Sequence, residues 1–594
     1  MIRGQAVRGA VLCVCLLWSC TPVAAEGVQV KAGKAMQSPK RSDAVPAQRE
    51  MTIEHPYLHL PVKNGGPKCR MRFTAGEETL REFEIELADA DPDFWVFSDV
   101  SALTGRRITI HVDSLPEGSK GLGTIVQADA VPDAGLRPGV ARPPSWRGDA
   151  RQMYREKLRQ QFHFSSRRGW NNDPNGLVYH AGEYHLYYQH NPYGWKWGNM
   201  HWGHAVSADL VHWKELPVAI YPHKFGDWVF SGSAAVDAEN TGGFKTGRED
   251  VIVAAYTSTG RGECIAYSND RGRTFTDFKG NPVVKHGGRD PKIIWYAPGS
   301  AEAKPGKHWV MAVYDQRDAS KGIAFYTSPD LKAWEFQSRI EGYFECPEIF
   351  ELPLECDPCQ TRWVVYAASG DYSVGTFDGK TFTPESGKHK FSYGNCFYAS
   401  QTFGNVLHED GRRIQIAWGR IATPGMPFNQ CMLFPVELTL RKTDDGPRLF
   451  AEPVREIAFL HAKKHSWRDQ IVMPGENLLA GVAGDLFEIR ADFEPGDAAE
   501  FGLSIRGTPV LYNVKAQEIS CKGCKAPLKT EGGRIRMHIL VDRTSIEVFA
   551  NHGRVYMPVG IVHPDDNRSL ETVSTGGAAK VKSLEVWELK SAWE

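Results

Sequence analysis

The sequence predicts an all-β protein, with a five-bladed β-propeller, a C-terminal β-sandwich and a small N-terminal β-sandwich. The chain is rich in glycine (58 of 594 residues) and in aromatic residues (11%). Long helical periodicities are scarce, and one turn motif recurs along the middle of the chain. Many turns between short alternating runs are typical of sandwiches and propellers.

The recurring motif is a Ser/Thr-x-Asp turn followed by an aromatic residue. It begins at Ser207, Ser268, Ser328 and Thr376, at intervals of 61, 60 and 48 residues, and each copy follows a strand-like run. Such recurrence indicates a propeller in which each blade is one sheet of four strands. The alternative is that the same turn chemistry recurs by coincidence. From four copies in phase we predict a five-bladed propeller over residues 150–450.

The first 25 residues are predicted to form an export signal. Arg3 and Arg8 precede an apolar run over 10–18, and residues 23–25 offer a cleavage site of small residues. The run has nine residues, too few to cross a bilayer as a helix. The residues up to Cys20 resemble a lipoprotein cleavage box, so a lipid anchor there is an alternative. The prediction is an exported protein (periplasmic, cell-surface or secreted) of undetermined oligomeric state.

The remaining segments are assigned by composition and alternation. Residues 26–50 are polar and patternless, which predicts a linker. Residues 51–140 alternate in short runs separated by turns, which predicts an N-terminal accessory β-sandwich ending in a Pro- and Gly-rich boundary. Residues 460–594 alternate in the same way and predict the C-terminal β-sandwich.

The charge of the chain argues against a nucleic-acid ligand. The formal net charge is −1 and the basic residues are dispersed, so the sequence predicts no surface for nucleic acid.

The cysteines are more consistent with disulfides than with a metal site. Nine of the twelve cysteines lie beyond the signal. Cys356-x-x-Cys359 and Cys521-x-x-Cys524 resemble half zinc sites, but no His pair accompanies either, so local disulfides are favoured. No metal or cofactor is predicted.

Three carboxylates stand in similar local settings. Asp173, Asp290 and Glu345 are each followed by proline within two residues and then by an apolar strand. The Asn-Asp-Pro-Asn-Gly stretch around Asp173 predicts a strand end and a turn, with an ordinary Asx-turn as the alternative. Equivalent positions of successive blades converge on a propeller axis. The three acids are therefore expected to face one pocket.

Such a pocket suits glycosidic cleavage. One carboxylate must be ionised to attack the sugar, and another must be protonated to donate to the leaving oxygen. Crowding of like charges raises the pKa of a carboxyl group and so favours its protonated form. Aromatic rings can stack on sugar faces and polar groups can bond hydroxyls; the candidates are Trp170, Trp197, Trp228, Phe230, Trp418, Asn172, Gln189, Ser231 and Arg289.

Six motifs occur in order along the middle of the chain: Trp170–Gly176, Tyr187–Pro192, Phe230–Ser233, Arg289–Pro291, Glu345–Pro347 and Phe397–Phe403. Together they resemble glycoside hydrolase family 32, the family of invertases, inulinases, levanases and fructan β-fructosidases. The resemblance covers residues 155–445 and extends into the C-terminal sandwich.

The resemblance implies a role for each acid. Asp173 matches the nucleophile, Glu345 the general acid/base and Asp290 the residue that stabilises the transition state; Glu348 is the local rival of Glu345. The family retains configuration, so the carboxyl groups of Asp173 and Glu345 are expected roughly 5–5.5 Å apart. The positions matching the fructose subsite are Trp170, Asn171, Asn172, Gln189, Trp197, Phe230, Ser231, Arg289 and Trp418.

The predicted function is an exported retaining glycosidase that cleaves β-D-fructofuranosyl linkages of levan or inulin, with sucrose as a further substrate, and releases mainly fructose. Residues 392–396 depart from the charged run common in the family, which leaves the choice among these substrates open. Two alternatives remain. One is another propeller glycosidase, of the sialidase or arabinan-hydrolase type, and the other is a polysaccharide-binding protein without catalysis.

Overall fold

The computed structural model describes residues 44–129, 131, 153–297, 306–355, 357–406, 410–564 and 566–593. The all-β prediction is confirmed: strands dominate, and the helices within these ranges are 3-10 turns at Ser101–Leu103, Gly121–Thr124 and Arg455–Leu460. No helix in the described ranges has the length and apolar character needed to cross a membrane. The predicted export signal and Cys20 lie outside the described residues.

Two small sheets with a shared core form the N-terminal part. The first contains, in spatial order, Val45–Thr52, Arg107–Leu115, Cys69–Ala75 and Glu78–Ile85. The second contains Phe94–Asp99, Tyr57–Val62 and Val126–Ala128. Alternate side chains of both sheets are buried between them, as a sandwich requires. We refer to this unit as the N-terminal sandwich.

The predicted linker over residues 26–50 was wrong at its C-terminal end. Strand Val45–Thr52 begins inside it and pairs antiparallel with Arg107–Leu115. This is an edge strand, and none of its side chains is fully buried. Because the strand buries so little, its sequence lacks the alternation of apolar and polar residues that predicts a strand, and its composition predicts a polar linker instead.

Five successive groups of strands build the propeller. The first three are separate sheets, and the last two are joined into one sheet by a single parallel pair, Leu354 with Leu440. The first strand of each group packs against first strands of other groups, so these strands surround the axis. The strands of the five groups are, in order, Gly169–His180, Glu183–Asn191, His201–Ser207 and Lys214–Ile220; Val229–Asp237, Val251–Ser258, Gly262–Ser268 and Thr276–Asp277; Gly288–Tyr296, His308–Arg317, Ser320–Ser328 and Glu335–Glu341; Glu348–Leu354, Asp357–Tyr366, Tyr372–Phe377 and Phe382–Pro384; and Phe397–Thr402, Arg413–Gly419, Cys431–Met432, Val436–Thr443 and Gly446–Pro453. The short strand Phe428–Asn429 joins the first sheet, parallel to Gly169–His180.

The recurring Ser/Thr-x-Asp motif connects the third and fourth strands of the first four blades. In the first copy the carboxylate of Asp209 accepts from the amides of Val211 and His212, at 3.0 and 2.8 Å. Asp330 and Asp378 accept from the amides two and three residues on in the same way, and Asp270 accepts from those three and four residues on. The aspartate thus closes each outer turn, which explains why the motif marks the blades.

The C-terminal strands form two facing sheets around a second core. One sheet contains His461–Val472, Ala579–Leu589, Phe487–Glu494, Ile535–Asp542, Ser545–Ala550 and Val555–Gly560. The other contains Cys524–Pro527, Glu518–Cys521, Thr508–Asn513, Glu500–Ile505 and Leu570–Thr575. The preference for a local disulfide was wrong for Cys521 and Cys524, which are free thiols, Cys521 being buried in this core. Cys359 is also free, and Cys356 lies outside the described residues.

A buried ionic cluster joins this sandwich to the propeller. His163 is fully buried; its Nδ1 lies 2.8 Å from Asp542 and its Nε2 lies 2.5 Å from Glu547. Burial opposes the charged imidazole, but hydrogen bonds to these carboxylates raise the pKa of His163 to about 9. The amides of Gln161 and Phe162 also donate to Asp542. The chain therefore enters the first blade from a fixed point on the sandwich.

Candidate active site

Asp173 lies in the middle of the innermost strand of the first blade, Gly169–His180. The predicted turn at this stretch was wrong. The strand continues through it, and the pairing with Glu183–Asn191 shifts register twice, between Asn171 and Pro174 and between Asn175 and Val178. Proline and residues that tolerate unusual backbone angles are used here for bulges. Because of the bulges, the side chain of Asp173 does not follow the regular alternation of side-chain directions along the strand.

The carboxylate of Asp173 is held by two neighbours. Ser231 Oγ donates to Oδ2 at 2.6 Å, and Asn172 Nδ2 donates to Oδ1 at 3.0 Å. Asn172 is itself fixed by Trp170 Nε1, which donates to its Oδ1 at 2.7 Å. Ser231 comes from the first strand of the second blade, so two blades orient this acid.

Asp290 and Glu345 come from the inner edges of the third and fourth blades. Both adopt left-handed backbone angles, φ +66° and +58°, as does Cys346 at +41°. Such angles are costly for residues with side chains and concentrate at functional sites. Cys346 Sγ lies 3.6 Å from Asp173 Oδ2 and 3.7 Å from Asp290 Oδ2, and its amide donates to Asp290 at 3.1 Å. The three predicted acids are thus brought together around Cys346.

Both carboxylate oxygens of Glu345 accept hydrogen bonds from side chains of other blades. Arg289 Nη2 donates to Oε1, and Tyr398 Oη donates to Oε2 at 2.7 Å. The guanidinium also lies 5.0 Å from the ring centroid of Tyr314 and 3.7 Å from Asp290 Oδ2. Tyr398 belongs to the first strand of the fifth blade. All five blades therefore contribute a side chain to one site.

Glu348, the local rival for the acid role, faces away from this cluster. It is fully buried and forms an ion pair with Lys292, Oε1 to Nζ at 2.6 Å. Its other oxygen accepts from the amide of Thr402 at 3.0 Å. A buried, paired and hydrogen-bonded carboxylate is structural. Glu345, with a side chain 22% exposed, is the acid available to a ligand.

Crowding and burial shift the acidities of this cluster. Burial raises the pKa of Asp290 to about 7, and the neighbouring charge of Asp173 adds to the rise. Burial also raises the pKa of Asp173, although hydrogen bonds from Ser231 and Asn172 oppose it. Asp290 therefore exchanges its proton near neutral pH, and pKa values perturbed by burial and like charges are typical of functional sites.

Comparison with known proteins agrees with this geometry. Residues 163–453 match the description "Glycosyl hydrolases family 32 N-terminal domain", and residues 457–588 match "Glycosyl hydrolases family 32 C terminal". The chain belongs to glycoside hydrolase family 32. It is 39% identical to the levanase of Bacillus subtilis (strain 168) over 497 residues, which cover 74% of this chain and 72% of that protein.

Two further relatives of this family 32 chain are informative. The extracellular exo-inulinase inuE of Aspergillus niger is 30% identical over 527 residues, covering 74% of this chain and 96% of that protein. The crystal structure of exo-inulinase from Aspergillus awamori superposes with a TM-score of 0.66 and 27% identity, covering 74% of this chain and all of that chain. The matched family regions begin at residue 163, after the N-terminal sandwich.

Some of the predicted fructose-subsite residues of this family 32 chain contact the acids, and the others pack around them as aromatic pairs or through backbone contacts. The rings of Trp170 and Trp418 lie 6.1 Å apart at a T-shaped angle, and those of Trp197 and Phe230 lie 6.0 Å apart. Gln189 Nε2 donates to the carbonyl of Val229 at 3.0 Å. Trp170, Asn172, Ser231 and Arg289 reach the acids directly or through one partner.

Asn171 does not fit the prediction. It lies on the strand that carries Asp173, but it has no exposed surface, and its Oδ1 lies 3.4 Å from Ser166 Oγ. Tyr398 and Cys346 were missed. Both stand inside recognised motifs, but their roles depend on contacts with acids from other blades, which the sequence does not display.

The raised pKa of Asp290 predicts a pH-dependent gain in stability for Asp290→Asn. The folded protein binds this proton more tightly than the unfolded chain, so the parent's unfolding free energy falls as pH rises from about 4 to about 7. A rise from 3.8 to about 7 corresponds to on the order of 4 kcal/mol. The variant lacks this loss and should melt a few degrees higher at pH 8.

Thermal unfolding of parent and variant at pH 4 and pH 8, at one scan rate, measures the effect. The difference between the two proteins should be much smaller at pH 4, which is close to the ordinary pKa of 3.8 that Asp290 has in the unfolded chain and well below its raised pKa in the folded protein. An equal difference at both pH values would show that Asp290 is not a buried titrating acid.

Proposed function

We propose that this protein is a retaining β-fructofuranosidase that acts on fructans of the levan or inulin type, and on sucrose, and releases mainly fructose. The observation that carries the proposal is the convergence of Asp173, Asp290 and Glu345 around Cys346, with Arg289 between two of them. The names of the relatives, levanase and exo-inulinase, support the substrate class.

In the first step the carboxylate of Asp173 attacks the anomeric C2 of a fructosyl unit. The C2–O bond to the leaving sugar breaks as the Asp173–C2 ester bond forms, and the proton of Glu345 passes to the leaving oxygen. In the second step Glu345 takes a proton from water. The resulting hydroxide attacks C2, the ester breaks, and β-fructose leaves with Asp173 again ionised.

Arg289 and Tyr398 orient Glu345 for both steps. The guanidinium of Arg289 pairs with Oε1, and Tyr398 Oη donates to Oε2 at 2.7 Å. Because both partners come from blades other than the one that carries Glu345, they hold the carboxyl group in one direction, toward the leaving oxygen in the first step and toward water in the second.

The proposed location is outside the cytoplasm. Arg3 and Arg8, the short apolar run and the small residues at 23–25 form the predicted export signal. Polymeric fructans do not cross membranes, so an enzyme that shortens them is useful where they occur. A lipid anchor at Cys20 is the alternative to release after cleavage at residue 25.

Incubation with levan, inulin and sucrose separately, followed by resolution of products by chain length, tests the proposal. We expect free fructose as the main early product from each fructan, the result that a pocket admitting only chain ends would give. A ladder of oligosaccharides would show internal cleavage instead. Release of arabinose from arabinan, with no fructose from any fructan, would overturn the proposal.

A further inference from the structure

Two aromatic loops border the pocket beside Phe230 and Ser231. The first, the Trp197 loop (residues 192–200), presents Trp197 with 51% of its surface exposed, the ring 6.0 Å from that of Phe230. The second, the Phe225 loop (residues 221–228), leads directly into the strand that carries Ser231. An exposed tryptophan beside a sugar pocket is a stacking surface for substrate.

The N-terminal sandwich holds the Trp197 loop by an edge strand. The side-chain amide of Asn199 pairs with the backbone of Glu84, accepting from its N–H at 3.0 Å and donating to its C=O at 2.8 Å. Phe83 stacks on Tyr193 with ring centroids 3.5 Å apart and planes 9° apart. Tyr193 is buried within the core of the N-terminal sandwich. The loop is thus part of that unit's packing.

The same unit also contacts the Phe225 loop. The guanidinium of Arg70 lies 3.9 Å from the ring centroid of Phe225, and that of Arg81 lies 3.9 Å from the ring centroid of Tyr221. Cation–π contacts at this distance fix the position of a ring on a loop. The N-terminal sandwich therefore touches both loops that border this side of the pocket.

The contact continues to the catalytic strand. Asn199 Nδ2 also donates to Asn191 Oδ1 at 3.1 Å, and Asn191 Nδ2 donates to the carbonyl of Lys196 at 2.8 Å. Asn191 pairs in register with Trp170, three residues before Asp173. Asn199 thus connects the edge of the N-terminal sandwich, the backbone next to Trp197 and the first blade.

We propose that the N-terminal sandwich, which lies outside the matched family regions, is a positioning domain that holds the Trp197 and Phe225 loops as a binding rim for the fructan chain. Asn199 is its main positioning residue and acts through Trp197. The inference rests on the proposed function, because the rim is assigned to the substrate of that pocket. Trp197, also a predicted fructose-subsite residue, would hold substrate through the face of its ring and not through the reacting atoms, so its loss should affect KM more than kcat.

The test compares three variants of the full chain, Trp197→Ala, Asn199→Ala and Arg70→Met, with Arg107→Ala as the matched control. Arg107 lies in the same sandwich, but its side chain is 76% exposed and pairs with Glu50, not with either loop. We expect Trp197→Ala to raise KM for levan and inulin about tenfold. Asn199→Ala and Arg70→Met should raise KM roughly threefold to tenfold, with kcat within about twofold of the parent.

A double variant separates positioning from general destabilisation. Because Asn199 acts through Trp197, Trp197→Ala combined with Asn199→Ala should raise KM no more than Trp197→Ala alone. The inference would be overturned if the increases in KM of the two single variants added fully in the double variant. It would also be overturned if Trp197→Ala raised KM while Asn199→Ala and Arg70→Met both left KM unchanged. An unchanged KM in Trp197→Ala would overturn it as well. None of these outcomes touches the proposed function, which fails only if fructose is not released.

Discussion

Asp173→Asn is expected to lower the hydrolysis rate by about 10⁴-fold or more on every substrate, because it removes the atom that forms the bond to C2. The fold should be retained. The new amide oxygen can accept from Asn172, and the amide nitrogen can donate to the hydroxyl of Ser231, which both donates and accepts. Initial rates of fructose release, with thermal unfolding as the check on folding, measure the effect.

Binding distinguishes lost chemistry from a lost site. The variant should bind levan or inulin with affinity close to the parent's KM, since Arg289, Trp197 and the other pocket groups are unchanged. Ser231→Ala is the matched control: it removes one hydrogen bond to Asp173 and should cost only about 10–100-fold. Unchanged turnover in Asp173→Asn would refute the assignment of the nucleophile.

The blades could be predicted because their signal is local. Each Ser/Thr-x-Asp turn is closed by an aspartate that bonds amides two to four residues away, so turn chemistry and spacing survive in the sequence without any knowledge of packing. The acids could be placed at one axis because their position relative to the strands is also visible in the sequence. Each precedes or lies in the first strand of a blade, and first strands meet at the centre.

The errors arose where tertiary pairing overrides local preference. Asn-Asp-Pro-Asn-Gly is turn chemistry, but its partner strand Glu183–Asn191 continues alongside, so the irregular residues became bulges that aim Asp173. Strand Val45–Thr52 was missed because an edge strand buries little. In both cases the deciding contact lies outside the segment itself.

The electrostatics of the site were the least accessible from sequence. Glu345 and Glu348 flank the same Cys-Pro pair, and the family resemblance, not an electrostatic feature of the sequence, is what favours Glu345 as the predicted acid. The structure separates them by their partners: Arg289 and Tyr398 for one, Lys292 and Thr402 for the other. These partners come from strands 50 or more residues away, which alternation and motif spacing do not register.

Glu345→Gln should therefore lose the proton donor while keeping the nucleophile, and its defect should depend on the leaving group. We expect kcat on sucrose to fall about 10³-fold, since general acid catalysis typically contributes 10²–10⁴. A fructoside with a nitrophenolate leaving group needs no proton, so its first step should remain fast. The fructosyl ester on Asp173 should then accumulate, visible as a burst of nitrophenol, because the second step lacks its base.

Added azide should rescue the second step, because an anionic nucleophile requires no general base, and the product should be β-fructosyl azide. The matched variant is Glu348→Gln, on the other side of Cys346 and Pro347. It leaves the charge of Lys292 buried and unpaired, which costs about 3–5 kcal/mol of stability. It should melt at lower temperature, show no burst and gain nothing from azide. If azide rescued Glu348→Gln and not Glu345→Gln, the two glutamates would have to exchange roles, because only loss of a base that faces the sugar can be replaced by a nucleophile in solution.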